Sequence, residues 1–276
     1  MIWEYFDPAN SESHHDFERL ENGNTLILLR KSEIVPSISP KPIVDDYILE
    51  INPEKQIVWE WHTPEHFEEF GFSTESKALI YEQGGDWSHT NSIQSLPDNS
   101  LGDMRFKNGN ILVSQRSTNI IFIIDKVTGK IVWKIGPDNN LSIGQHDVKM
   151  IPQIYDGAGN IQVFDNGGAY GYPEETRLYS RVIEVQPISK KIVWEYNALK
   201  SKLPLWTFFS SQISGEQKLP NGNILIDEGY SGRFFEITLE GEIVWEYINP
   251  DFSSPYGIQY NGVYRIWRVD LNWPPY

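Results

Sequence analysis

Asn221-Gly222-Asn223-Ile224-Leu225-Ile226, then Phe234-Phe235-Glu236-Ile237, then Ile243-Val244-Trp245-Glu246-Tyr247 is the stretch on which the fold turns. An Asn-Gly turn opens an apolar strand, a second aromatic and β-branched run follows, and Thr238 to Gly241 separates that run from a tryptophan strand. This is hairpin chemistry. The same order recurs upstream. Asn22-Gly23-Asn24, Asn108-Gly109-Asn110 and Ala158-Gly159-Asn160 each open an apolar run. Ile57-Val58-Trp59-Glu60-Trp61, Ile131-Val132-Trp133-Lys134 and Ile192-Val193-Trp194-Glu195-Tyr196 each close a unit, and Ile2-Trp3-Glu4-Tyr5 repeats the closing phrase near the start. Successive tryptophans of the phrase lie 56, 74, 61 and 51 residues apart. That is too irregular for a solenoid but suits blades that carry loop insertions. With one strand ahead of each Asn-Gly turn, every unit has four antiparallel strands. Their radial repetition predicts an all-β fold, a β-propeller with about five blades visible, as a single domain over residues 1–276. A β-sandwich shares the many short strands but not the repeat.

Four complete units lie between Trp3 and Trp245. A further blade is expected to close by pairing Ile2-Trp3-Glu4-Tyr5 with the strand-like Gly262 to Val269. The chain starts on what reads as the last strand of a blade, which predicts that about one N-terminal blade is missing. Residues 62–88, 197–211 and Lys31 to Asp45 read as loops, with one short helix over Pro64 to Phe70.

Composition narrows the chemistry. The 276 residues carry 23 Lys+Arg against 38 Asp+Glu, a net charge of −15, with no Cys and 10 Trp. Nucleic-acid and anionic-membrane binding both need a basic footprint, and this chain has no Lys/Arg run. No apolar run approaches the roughly 18 residues of a membrane span, and the first residues lack the pattern of a signal peptide. Without Cys, thiol catalysis and thiolate-ligated metals are excluded, so a nucleophile must be sought elsewhere.

Histidine supplies it. Aligned on the Asn-Gly turns, His15 falls at the head of the first strand of its unit, as do His89 and His146, whereas the fourth unit has Ser214 there. Equivalent positions in a propeller form a ring about the axis, so three imidazoles can share one ligand. Their flanks are polar and varied: Ser13-His14-His15-Asp16, Ser88-His89-Thr90-Asn91 and Gly144-Gln145-His146-Asp147. Arg116, at the end of Leu112-Val113-Ser114-Gln115-Arg116, adds a guanidinium able to bind a sulfate or phosphate bidentately. A structural His of the kind that packs blades is the competing reading. His62 and His66, at i,i+4 spacing, give a weaker alternative as a zinc pair on a solvated acidic helix.

The segments Asp86 to Ile93 (DWSHTNSI), Ser114-Gln115-Arg116, Gly144 to Asp147 (GQHD), Gly157 to Gly167 (GAGNIQVFDNG) and Ser211 to Ile226 together resemble the arylsulfotransferase propeller family, over essentially the whole chain. The resemblance implies a six-bladed fold, a periplasmic or extracytoplasmic location, and nucleotide-independent transfer of a sulfuryl group from a phenolic sulfate ester to a phenolic acceptor. The route it implies is ping-pong through a sulfohistidine. It implies His146 as nucleophile, with His89, Arg116 and His15 as further catalytic groups. His14, Asn91, Gln145, Asp165 and Asn166 are implied to bind substrate. No cofactor or metal is called for: a neutral imidazole can attack sulfur near its ordinary pKa of about 6.5, and neither a phosphate-cradling loop nor a dinucleotide fingerprint is present. The alternative is a non-catalytic ligand-binding or scaffold propeller derived from that family.

Overall fold

The computed structural model describes residues 3–7, 11–137, 141–254 and 259–269. Four four-stranded antiparallel blades follow one another along the chain. Blade one is Glu12–Arg19 (β1), Thr25–Glu33 (β2), Ile43–Ile51 (β3) and Ile57–His62 (β4); blade two is Thr90–Ser95 (β5), Ile111–Gln115 (β6), Ile120–Ile124 (β7) and Ile131–Ile135 (β8). Blade three is His146–Met150 (β9), Ile161–Asp165 (β10), Arg181–Gln186 (β13) and Lys191–Tyr196 (β14), interrupted by a small hairpin of Gly168–Tyr170 (β11) and Glu175–Arg177 (β12). Blade four is Gly215–Lys218 (β15), Ile224–Glu228 (β16), Arg233–Ile237 (β17) and Ile243–Ile248 (β18).

The turn that opens each second strand is built identically four times. Gly23, Gly109, Gly159 and Gly222 all have φ between 81° and 87°, and only glycine adopts that backbone without strain. Each donates its N–H to the carbonyl of an apolar residue, Leu20, Leu96, Ile151 or Leu219, at 2.9–3.0 Å. That residue's own N–H returns to the carbonyl of Asn24, Asn110, Asn160 or Asn223.

The tryptophan phrase is a lock between neighbours. The indole N–H of Trp59 donates to the Lys126 carbonyl (3.0 Å), that of Trp133 to Pro187 (2.8 Å), and that of Trp194 to Leu239 (3.1 Å). Each acceptor lies in the hairpin turn between the two outer strands of the following blade. A buried indole needs such a partner, and the repeat supplies it by geometry. Among the described residues the Trp245 indole meets no such turn; it is 42% exposed, with the Arg268 guanidinium 5.4 Å from its ring.

The inner strands β1, β5, β9 and β15 stand side by side around the axis. A strand edge there would leave N–H groups unpaired, at a cost. Side chains of the preceding blade accept them instead: Asp16 from Ile93, Glu18 from Ser95, Ser92 from Val148, Gln94 from Met150 and Asp147 from Glu216, at 2.6–3.2 Å.

Three expectations are corrected. Residues 259–269 do not pair with the N-terminal phrase as a fifth blade. Instead Gln217 exchanges two hydrogen bonds with the backbone of Arg268, and Ser214 donates to the Tyr264 carbonyl, so the segment lies beside β15 where a further inner strand would stand. Within the expected pairing Ile2 lies outside the described residues, while Trp3 and Tyr5 stack on each other and cover Leu29, Tyr47, Leu49 and Ile51 of blade one. Lys31 to Asp45 is only partly loop, because β2 and β3 run on to pair Glu33 with Ile43, drawing Lys31 to within 3.4 Å of Asp45. The 62–88 loop holds, besides a 3-10 turn at Thr63–Phe70, an α-helix over Thr74–Gln83 whose N-cap Ser73 accepts from the Ser76 N–H. Ser-x-x-Ser is a weaker capping signal than Ser-x-x-Glu, and the helix has no apolar stripe to announce it. Among the described residues no helix is long and apolar enough to cross a membrane.

Candidate active site

The heads of the inner strands carry the site. Their backbones are forced into the left-handed region at non-glycine residues, with φ of 58° at His15, 47° at His89, 49° at Asp147 and 54° at Ile213. Such conformations are rare and persist only where the surroundings hold them. Register breaks in β1, β5 and β9 at the same level turn the side chains inward.

His146 is 1% exposed. Its Nδ1 lies 2.8 Å from Asn166 Oδ1 and 3.0 Å from the Gly144 carbonyl. Asn166 spends its Nδ2 on the carbonyls of Ser210 and Ile213, both at 2.8 Å, so its oxygen faces the imidazole and Nδ1 carries the proton. Nε2 therefore holds the lone pair, which accepts the Ile213 N–H at 3.2 Å. Burial above all, reinforced by the Arg116 and His89 charges, holds His146 down at about 3 against the help of Asn166. It is neutral at physiological pH.

His15 and His89 meet Nε2 to Nε2 at 3.2 Å, and His15 meets His14 Nδ1 to Nδ1 at 2.7 Å. His89 is held on its far side by the Asp86 carboxylate. Burial, then mutual repulsion with the neighbouring imidazoles and Arg116, pushes His15 down to about 2; burial, then Arg30 and His89, pushes His14 to about 4. Asp86 stays below the usual range: burial would raise it, and the His89 hydrogen bond with the Arg116 charge outweighs that.

Arg116 donates its backbone N–H to the His89 carbonyl and stands 5.2 Å over the Tyr170 ring, with its Nε unbonded and buried. Among the described residues its guanidinium makes no ion pair, which leaves it free to take an anion. An open cavity of about 490 Å³ reaches His14 and His15 between the rings of Trp3, Tyr5, Phe6 and Phe17.

The remaining residues singled out in the sequence lie behind this surface or away from it. Gln145 is fully buried and ties the Ser114, Gln115 and Ile120 region to its own turn. Asn91 donates to the Gln145 carbonyl at 2.8 Å. Both act as braces for the backbone of His146. Asp165 is spent elsewhere: it binds Arg177 and Arg181 and accepts the Ile143 N–H, a structural knot with no oxygen turned to the histidines. His62 and His66 do not converge, because one is bonded to Asp45 (2.6 Å) and the other to Glu69 (2.7 Å). Among the described residues no three His, Asp or Glu side chains have metal-ligand geometry.

Two neighbours of the site were not foreseen. Tyr264 donates to the Asn91 carbonyl at 3.1 Å, its ring 5.5 Å from that of His15. Arg265 bridges Asp16 (2.9 Å) and Asp147 (3.2 Å), the residues that follow His15 and His146. The one signal in the sequence is that an acidic chain places an Arg in an apolar, aromatic stretch, Val263-Tyr264-Arg265-Ile266-Trp267.

Comparison with known proteins agrees with this architecture. The model of the arylsulfotransferase (ASST) family matches residues 4–250. None of the curated proteins matches the chain. Among solved structures, a protein of unknown function from Bacteroides caccae is 16% identical, with a TM-score of 0.52, and the match covers 89% of this chain and 70% of that one. Virginiamycin B lyase from Staphylococcus aureus is 17% identical with a TM-score of 0.45, over 85% of this chain and 55% of the lyase. The Dos1 propeller is 11% identical with a TM-score of 0.48, over 88% of this chain and 50% of its own. The chain thus spans about half the length of the last two. At such identities the likeness is one of fold, whereas the family model extends over most of the sequence: this chain belongs to the arylsulfotransferase family.

Proposed function

We propose that the protein is an aryl-sulfate sulfotransferase that moves a sulfuryl group from a phenolic sulfate ester to a phenolic acceptor by a ping-pong route through a sulfohistidine at His146. The observation that carries this reading is the fixed tautomer of His146, with Nδ1–H on Asn166 and the lone pair on Nε2. A nitrogen nucleophile needs that lone pair, and burial keeps it from being protonated. In the first half-reaction Nε2 bonds to sulfur as the S–O bond to the aryl group breaks. In the second the acceptor oxygen bonds to sulfur and the S–N bond breaks. Arg116 takes the charge on the sulfuryl oxygens, and the Ile213 N–H, released from Nε2, joins it as a donor. The cavity lined by His14 and His15 has aromatic walls that suit an aryl ring, and it meets the histidine cluster on the His15 side, since His146, His89 and Arg116 do not line it.

Incubation with a chromogenic aryl sulfate should release phenol in proportion to acceptor, and withholding the acceptor should leave His146 sulfated, as read by mass spectrometry. Release that is unaffected by His146→Ala would overturn the reading. A second reading, a propeller that binds phenols or small anions without turnover, is favoured by the Ile213 N–H already on Nε2. It predicts anion binding with no sulfated histidine under the same conditions.

A further inference from the structure

The repeat breaks at one pair of positions. Across the interface of blades one and two, Leu26 of β2 and Ile93 of β5 share an apolar cluster, and across blades two and three Leu112 of β6 and Val148 of β9 do the same. Counted from the Asn-Gly turns, the corresponding pair across blades three and four is Gln162 of β10 and Glu216 of β15. They are 3% and 4% exposed. The Gln162 Nε2 and both carboxylate oxygens of Glu216 are buried and, among the described residues, have no hydrogen-bond partner. Unpaired groups of this kind are costly, and the apolar pair used at the other two interfaces avoids the cost.

Both residues line a cavity of about 180 Å³ at the tail ends of β9 and β15, away from the histidines at the strand heads, with Met150, Tyr155 and Trp267 in its walls. That is the space of about six water molecules. The two hydrogen bonds between Gln217 and the backbone of Arg268 hold Trp267 in place beside it. The charges around the cavity balance except for one. Lys149 pairs with Asp147 (2.5 Å), Arg265 with Asp16 (2.9 Å) and Asp147 (3.2 Å), and Lys218 with Glu184 (3.0 Å). Three cations thus meet three carboxylates, and among the described residues Glu216 is left without a counter-charge. Burial first, and the Asp147 charge second, raise Glu216 well above the usual carboxylate range, against the pull of Lys149 and Arg265. A cation entering the cavity is what would let it ionise.

We propose that this cavity between blades three and four is a binding site for a small primary ammonium compound with an oxygen acceptor beside the nitrogen, of the 1,2-amino alcohol class. The unused groups set the class. A carboxylate only accepts and an amide nitrogen only donates, so the ligand must donate at one end and accept at the other. Its ammonium bonds the two Glu216 oxygens, a charge-assisted contact, and its oxygen takes the Gln162 N–H. A metal ion does not suit the site, because an amide nitrogen is no ligand for one and no three His, Asp or Glu side chains converge among the described residues. A molecule bound there ties blade three to blade four without touching the histidines, so the site stands apart from the sulfotransferase reading.

The test is isothermal titration calorimetry of the full chain with ethanolamine, ethylamine and ethylene glycol. Ethanolamine should bind one to one with a Kd of about 1 mM. Ethylamine, which offers Gln162 no oxygen, should bind about 10-fold more weakly, and ethylene glycol, which has no charge for Glu216, should not bind. At about 100 times its Kd, ethanolamine should raise Tm by roughly 5 °C, and sodium chloride at the same ionic strength should not. The double variant Gln162→Leu, Glu216→Val restores the apolar pair of the other interfaces; it should bind none of the three and melt above the unliganded parent. If that variant does not fold, Glu216→Gln, which keeps the shape and removes the charge, should weaken ethanolamine at least about 10-fold. Ethanolamine binding undiminished in either variant, ethylene glycol binding as tightly, or a thermal shift reproduced by sodium chloride would overturn the proposal. A double variant that folds but melts well below the parent would overturn it too, because the polar pair would then be part of the packing.

Discussion

Asn166→Ala is the substitution that separates orientation from chemistry at His146. The side chain is fully buried and makes three hydrogen bonds of 2.8 Å, to His146 Nδ1 and to the carbonyls of Ser210 and Ile213. After truncation His146 keeps the Gly144 carbonyl at 3.0 Å, and the Ser210 carbonyl keeps the Ser180 hydroxyl at 3.3 Å. The Ile213 carbonyl loses its Asn166 donor and, among the described residues, has no second bond to fall back on. One carbonyl left without this partner and two hydrogen bonds lost at modest net value cost about 3 kcal/mol. For a chain of this size that is a fall in Tm of roughly 5 °C. The imidazole loses the shorter of the two acceptors at Nδ1 and keeps only the Gly144 carbonyl there, which loosens its orientation and tautomer, and kcat should drop about 10- to 100-fold with a smaller change in KM. Differential scanning calorimetry reads the first quantity, turnover of an aryl sulfate the second, and side-chain nitrogen shifts of His146 the tautomer. A variant that melts within about 2 °C of the parent and turns over at the parental rate would refute the tautomer argument, because neither the bonds nor the orientation would then matter.

Other outcomes follow from the same geometry. Arg116→Ala should lower kcat about 100-fold through loss of an oxyanion donor, with Arg116→Lys recovering only part of it because a point charge cannot replace a fork; steady-state kinetics decides. Arg265→Met should destabilise the fold by about 3–5 kcal/mol in urea titrations, because it leaves Asp16 and Asp147 buried without their cation. Gly215→Ala would place a Cβ 2.3 Å from Asp147 Oδ2 and should cost about 2 kcal/mol by the same measurement. His146 is neutral in the fold down to about pH 3 but protonates near 6.5 when unfolded, so its contribution is complete above 6.5 and is lost as pH falls below it. Between pH 7.5 and 5.5 the parent should therefore lose about 1.4 kcal/mol more stability than His146→Gln.

The parts of the molecule that repeat were readable from residues alone. Trp59, Trp133 and Trp194 recur because each must meet a turn carbonyl of the next blade, and the Asn-Gly turns recur because one glycine conformation serves all four hairpins. His15, His89 and His146 could be grouped for the same reason: position in the repeat fixes position about the axis. What repetition does not encode stayed hidden. Asp165 and Asn166 are adjacent in sequence, yet one turns to Arg177 and Arg181 and the other to His146, a choice made by partners far along the chain. Arg265 is a single, non-repeated residue whose importance comes from a contact across 249 residues, to Asp16. The C-terminal segment was expected to pair with Ile2-Trp3-Glu4-Tyr5; its backbone at Arg268 instead meets the Gln217 side chain on the inner strand of blade four.

The side chains that cap the inner-strand amides also bear on how the molecule comes apart. Ile93 in blade two depends on Asp16 in blade one, Val148 in blade three on Ser92 in blade two, and Glu216 in blade four on Asp147 in blade three. Opening one blade therefore exposes an unpaired amide in the next. Repeat proteins that touch only through apolar surface can fray from their ends, but here the chain of dependence makes partial opening expensive everywhere. Amide exchange at Ile93, Val148 and Glu216 should then proceed at one common, global rate, so that the ring and the histidines at its centre are lost together.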